Sequence, residues 1–336
     1  MKWAARGVSQ QVLARRSGAP LLPLASHADM SLRHVTDIDL PEHLKEGGFD
    51  HVAAHRRSAR LYVAHTANDA VDVIDCRRDR YLYSIPDLPG VAGVLVSDER
   101  DLVFTSNRRE NTIAIFPGSG ETRRVKVGVG IAPNGLAYDP RRNLLLVAHV
   151  GVPAVKESFT LSVVGVKNES EVASILVPGR TRWAVFDAGA DVFYVNIADP
   201  PEIVAVAAME PFRVVRAFPI SSAGPHGLDL DRERTRLFCA CDGGKLFSLD
   251  ARSGKVFAEA NLTGVPDVVF LNAALNRLYV AIGDPGVIDV LEAEGLRRSE
   301  TVRTERGAHT IGFDAARNKV YAFLPGSHRA AVYVDE

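Results

Sequence analysis

At 336 residues the chain exceeds the roughly 250–300 at which one conventional core stops growing, so two domains or a repeat array is expected. Hydrophobic residues at 46% and charged residues at 24% are the balance of a soluble globular protein and exclude a disordered one. With 40 Lys and Arg against 41 Asp and Glu, and no apolar run near the roughly 18 residues of a membrane helix, neither nucleic acid nor a membrane is an expected partner.

Residues 1–29 stand apart. They carry Lys2, Arg6, Arg15 and Arg16 with Asp29 as the only acid, and their longest apolar stretch, Leu21 to Ala25, is short and broken by Pro23. A signal segment needs an apolar run of roughly 7–15 residues, so this stretch is expected to be a disordered extension or an upstream mis-start with Met30 as the true initiator. The expected location is cytoplasmic, with export as the alternative through the weak Arg15-Arg16 signal. Cys76, Cys239 and Cys241 are too few, and odd in number, to staple a domain or to identify a compartment.

From residue 30 onward one short unit recurs. Arg60-Leu61-Tyr62-Val63-Ala64 returns as Arg277-Leu278-Tyr279-Val280-Ala281, with looser copies around Val103, Leu145, Phe193, Leu237 and Val320. Taking Leu61, Leu102, Leu145, Phe193, Leu237, Leu278 and Val320 as equivalent, the copies fall 41 to 48 residues apart. Each unit reads as four strands. In the third, Gly135 to Tyr138 and Leu144 to His149 flank the turn Asp139-Pro140-Arg141-Arg142-Asn143, and Phe159 to Val166 and Glu171 to Val177 follow. First and second strands are almost continuously apolar, as a sheet covered on both faces requires. Seven four-stranded sheets at this period predict an all-β, seven-bladed β-propeller over residues 30–336, in one domain. The last unit has only three strands. The alternating segment Arg33 to Leu40 supplies the fourth, closing the ring and removing an exposed edge.

Leu61-Tyr62-Val63-Ala64-His65, Ala70-Val71-Asp72-Val73-Ile74-Asp75 and Pro133-Asn134-Gly135-Leu136-Ala137-Tyr138-Asp139-Pro140 resemble the YVTN (YncE-like) β-propeller repeat family. The resemblance covers residues 30–336 and implies a seven-bladed binding protein. More distantly, the chain is similar to the lactonase and streptogramin-lyase propellers, which hold a metal near the channel mouth. Their acidic ligands include Glu.

In this architecture the loops entering each first strand and leaving each second strand open on one face around the channel, where ligands are usually buried. The entrance positions are Asp50, Ala92, Asn134, Arg182, His226, Asp267 and His309, six of the seven polar and none of them Glu. His226, Asp267, His309 and Asp50 fall on consecutive blades. Imidazole beside carboxylate suits a divalent metal or acid–base work, and Arg182 suits a carboxylate or phosphate. A hydrated channel rim, a ligand site without metal, and a metal site among His226, Asp267 and His309 all remain open readings. A second column, after each second strand, adds His65 and His149, expected either at the same mouth or bonded to neighbouring loops. Cys239 and Cys241 are expected on opposite faces of their strand, unable to share a metal. The insertion Val150 to Ser158 is the longest loop on this face and a candidate lid.

The opposite face is rich in arginine, with Arg141, Arg142, Arg232 and Arg234 in its turns, but acidic residues are interspersed and ordinary solvated turns are expected. No phosphate loop, nucleophile elbow or Cys-x-x-Cys pair is present. The expectation is a monomeric, non-catalytic binding propeller whose mouth takes a small molecule or peptide and needs no cofactor. The alternative is a hydrolase or lyase with one divalent ion at the mouth.

Overall fold

Short apolar runs separated by Asp- and Asn-containing turns let each repeat pair its backbone locally, as an antiparallel meander. The computed structural model describes residues 32–120 and 123–336, so the extension of residues 1–29 lies outside the described residues. Seven four-stranded antiparallel sheets follow one another along the chain. The third blade has strands Pro133–Asp139, Leu144–His149, Thr160–Gly165 and Ser170–Leu176, matching the strands read from its sequence to within a few residues. Blades 1 to 6 begin at Val52, Val91, Pro133, Thr181, Pro225 and Pro266. The seventh consists of Thr310–Asp314, Lys319–Leu324 and Arg329–Asp335, completed by Leu32–Asp39 paired antiparallel to Arg329–Asp335. Among the described residues no helix is long and apolar enough to cross a membrane.

Burial grades outward. Second strands such as Leu61 to Ala64 are sealed, whereas the fourth strand Ser170–Leu176 is largely exposed. The aromatic position of the repeat explains how adjacent sheets stay in register. Tyr62 donates its hydroxyl to the Gly118 carbonyl at 2.7 Å and Tyr194 to the Ala251 carbonyl at 2.5 Å. Tyr279 donates to Asp335 Oδ2 at 2.5 Å and Tyr321 to Asp79 Oδ1 at 2.9 Å. In each case a second strand is fastened to the next blade round the ring, and every ring is fully buried. Phe104, Leu146 and Phe238 occupy the position in the other blades and contribute packing alone.

The Tyr279 staple is the most demanding, because Asp335 is buried and also receives Arg277. Burial lifts the Tyr279 hydroxyl far above its ordinary value, so it remains a donor. Tyr279→Phe leaves the carboxylate short of one donor and is expected to cost about 1–3 kcal/mol, read as a lower urea midpoint with unchanged slope. A loss below about 0.5 kcal/mol would show that the staple carries no stability.

Three arginines of the opposite face are held by an aspartate of their own turn, and others reach the neighbouring blade, as Arg56 does to Asp98 and Arg141 to Asp191. Asp139, Asp231 and Asp314 each accept backbone N–H bonds from the turn with one oxygen. Their second oxygen holds the arginine three residues on, Arg142 at 2.7 Å, Arg234 at 2.9 Å and Arg317 at 2.8 Å. This Asx-turn chemistry neutralises the charge where it arises.

Candidate functional site

At the mouth end of five inner strands the ladder carries one extra residue, between Val91 and Val94, Pro133 and Leu136, Thr181 and Ala184, Pro225 and Leu228, and Pro266 and Val269. Asn134, Arg182, His226 and Asp267 lie in these bulges. A bulge releases a residue from the alternation of the strand and re-aims its side chain, here toward the channel entrance. Glycine then allows neighbouring entrances to touch. A Cβ on Gly135 would meet the Arg182 carbonyl oxygen at 2.2 Å, and one on Gly227 would meet that of Asp267 at 2.7 Å.

The entrance column assembles around His226. Its Nδ1 lies 2.7 Å from Asp242 Oδ1 and its Nε2 lies 2.7 Å from Asp267 Oδ1. Both ring nitrogens therefore donate to carboxylates, and the ring is an imidazolium. Burial opposes that charge, but Asp267 and Asp242 outweigh it and lift His226 to about 9. Burial likewise opposes ionisation of Asp267, yet His226, with His309 and His51 behind it, holds the carboxyl well below the usual range. His309 Nε2 stands 3.7 Å from the other Asp267 oxygen, and its Nδ1 is bonded to the Gly307 carbonyl. Arg182 reaches from the preceding blade, 3.3 Å from Asp242 Oδ2 and 3.1 Å from His226 Nε2. Asp50 faces Arg108 at 3.3 Å, and Arg108 also donates to the Asn134 side-chain oxygen at 2.5 Å.

Asp50, Asn134, Arg182, His226, Asp267 and His309 thus gather at one rim. His65 and His149 do not join them. His65 is fully buried between Asp72 and His43, at 2.7 Å from each. His149 is fully buried against Thr160 and Ser162, and burial lowers it to about 4, so it is a neutral core histidine. The cysteine expectation is corrected. Residues two apart on a strand share a face, and the Cys239 and Cys241 sulfurs lie 3.8 Å apart, both buried. The insertion Val150 to Ser158 folds on itself, the Ser158 hydroxyl accepting the Val152 N–H and donating to the Val152 carbonyl.

Sequence reasoning missed Arg108, Asp242 and His51. Arg108 and Asp242 lie just past the second-strand column and bend inward. His51 follows Asp50, and its ring stacks on Trp183 with centroids 4.0 Å apart and 16° between planes. Burial lowers its pKa despite Asp50, leaving a neutral ring against the indole. Trp183 in turn meets Phe270 edge-on. An aromatic layer therefore underlies the charged rim.

The rim does not fit a resident divalent ion. His226 has no free lone pair, Asp267 is committed to it, and the Arg182 guanidinium stands where a cation would be repelled. Among the described residues no three His, Cys, Asp or Glu side chains converge as a metal-binding group. Two clefts of about 300 and 460 Å³ lie elsewhere, at the outer seams of blades 2 and 3 and of blades 3 and 4.

Fold and rim define a seven-bladed β-propeller with a charged channel mouth. The chain is similar to a solved structure of Kuenenia stuttgartiensis hydrazine synthase, with a TM-score of 0.75 and 13% identity over 86% of this chain and 97% of that one. At that identity the likeness shows the fold alone. No family model matches the chain, and no curated protein matches it.

Proposed function

We propose that this chain is a binding propeller of the YVTN-like kind, whose channel mouth presents a preorganised polar site to a small ligand or peptide without catalysing a reaction. The observation that carries the reading is the convergence of ionised groups from different blades on His226. Asp242, Asp267 and Arg182 are separated by tens of residues in sequence and meet within 3.3 Å of one another's partners. Such a network fixes side-chain positions in advance, which lowers the ordering cost of binding. Its imidazole lies between two carboxylates and adjoins no Ser or Cys nucleophile, an arrangement suited to holding charge rather than moving a proton.

The test is a chemically mixed ligand panel of organic acids, amines, sugars and short peptides, scored by thermal shift and calorimetry. A ligand at a hundred times its Kd stabilises by about 2.7 kcal/mol, a rise of several degrees. Asp242→Asn, which loosens His226 and Arg182 together, is expected to weaken the best ligand about tenfold. Turnover of lactones or phosphate esters dependent on added metal would overturn the reading, as would a panel without a single binder.

A further inference from the structure

The rim carries more positive than negative charge. Arg108, Arg180, Arg182 and the His226 imidazolium face Asp50, Asp242 and Asp267. Each carboxylate is already engaged, Asp50 by Arg108, Asp242 by His226 and Arg182, and Asp267 by His226. Arg180 begins the approach to the blade 4 inner strand, is exposed, and forms no ion pair among the described residues. Burial of part of its stem, then the fields of Arg182 and Arg108, lowers its pKa, with Asp242 as the opposing influence. Arg180 stands two residues before Arg182 at the entrance of blade 4, and Arg108 comes from the loop after the second strand of blade 2. Two further atoms point the same way. The Nε–H groups of Arg108 and Arg182 are buried and have no hydrogen-bond partner. A buried guanidinium N–H without an acceptor is costly, and an incoming oxyanion would remove that cost.

We propose that the mouth is an anion site, taking the carboxylate or phosphate of a small ligand among Arg108, Arg180 and Arg182. This rests on the reading of the mouth as a ligand site and names the chemistry of what enters. Guanidinium is suited to the task, since its planar fork presents parallel N–H donors to two oxygens. Below the rim the partly exposed Trp183 and Phe270 rings meet edge-on, with Trp183 stacked on the buried His51. An acid with a flat apolar body meets both layers at once. Asp50 and Asp242 hold Arg108 and Arg182 in place and, by their own charge, restrict the site to a ligand able to compete for those donors.

The experiment titrates benzoate, succinate, inorganic phosphate, ethanolamine and glucose into the full chain at constant ionic strength, by calorimetry. Variants are Arg180→Ala, Arg108→Ala and, as a control on the opposite face, Arg56→Ala. Carboxylates or phosphate bind and the other probes do not; benzoate against phosphate distinguishes the two oxyanion sources. Arg180→Ala and Arg108→Ala each weaken binding at least tenfold, and Arg56→Ala leaves it within twofold. Because Arg180 is exposed and unpaired, its removal tests the site without threatening the fold. Binding of ethanolamine or glucose without oxyanions would overturn this inference and leave the binding reading standing. Oxyanion binding untouched by both mouth variants would place the site elsewhere and overturn it as well. Silence from all five probes in the presence of another binder in the wider panel also overturns it, and silence throughout removes both readings.

Discussion

Removal of residues 32–39 is expected to abolish cooperative folding of the ring. The strand Leu32–Asp39 pairs with Arg329–Asp335 along nearly its whole length. It buries Leu32 and Ile38, at 1% and 3% exposure, and Ile38 packs with Tyr321, Phe323 and Val332 of the last blade and Leu61 and Val63 of the first. Two buried aliphatic side chains at roughly 1.5–3 kcal/mol each, and a ladder of backbone bonds at about 1 kcal/mol each, amount to a loss comparable with the whole stability of a domain, about 5–15 kcal/mol. The truncated chain would expose Arg329–Asp335 as an edge open to pairing with other chains. The expected result is loss of a sharp thermal transition and growth of high-mass species on size exclusion. Ile38→Asp, which keeps the strand and buries an unpaired charge, should lower the melting temperature by many degrees. A truncated protein that melts cooperatively within a few degrees of the full chain would show that closure does not depend on this strand.

The second large effect is electrostatic. His226 is about 9 in the folded protein against roughly 6.5 unfolded, so the folded state binds the proton more tightly. Its contribution is therefore fully present below about pH 6.5 and declines as pH rises through 9, beyond which it is gone. Integrated over that interval the shift corresponds to about 3 kcal/mol. Asp267 reports the same contact from the other side. Its depressed pKa gives stability present above the ordinary carboxylate value and lost only in strong acid, so the two effects describe one interaction at opposite ends of the pH scale and do not add. Urea midpoints at intervals between pH 6 and 10 should fall by that amount in the wild type. His226→Gln should flatten the curve over this window, and at pH 7 it should be less stable by about 3 kcal/mol, since Asp267 loses its imidazolium and Asp242 keeps only Arg182. A wild-type profile flat from pH 6.5 to 9.5 would refute the imidazolium assignment.

How much of this was legible in the sequence depends on whether a feature is carried by period or by direction. The strands of blade 3 and the closing strand were readable because apolar periodicity and turn residues repeat seven times, and each copy corrects the others. The entrance column was readable for the same reason, since Asp50, Asn134, Arg182, His226, Asp267 and His309 share one repeat position. Side-chain direction was harder. His65 and His149 end their strands facing into blades, whereas Arg108 and Asp242, one or two residues later, turn into the mouth. Nothing in residue type distinguishes the two outcomes, because they depend on how each second strand meets its loop. The bulges that aim Arg182 and His226 are likewise invisible in a pattern of period two. Cys239 and Cys241 share a face because residues two apart on a strand do, a parity already present in their spacing.

The partner of the last strand is the first described strand, so the two outermost strands of the ring in sequence share one sheet. Tyr279 to Asp335 on one side and Tyr321 to Asp79 on the other fasten that sheet to its neighbours as other blades are fastened. Physically, then, the ring does not record where its covalent ends lie. Joining Glu336 to Leu32 through a short linker and reopening the chain at a tight turn of another blade, such as Asp139 to Asn143, would preserve a split sheet and so preserve the clasp. Reopening it between two blades would leave seven complete sheets and none interlocked. The fold thus depends on one sheet being shared by strands from the two extremes of the ring, whichever blade that sheet belongs to.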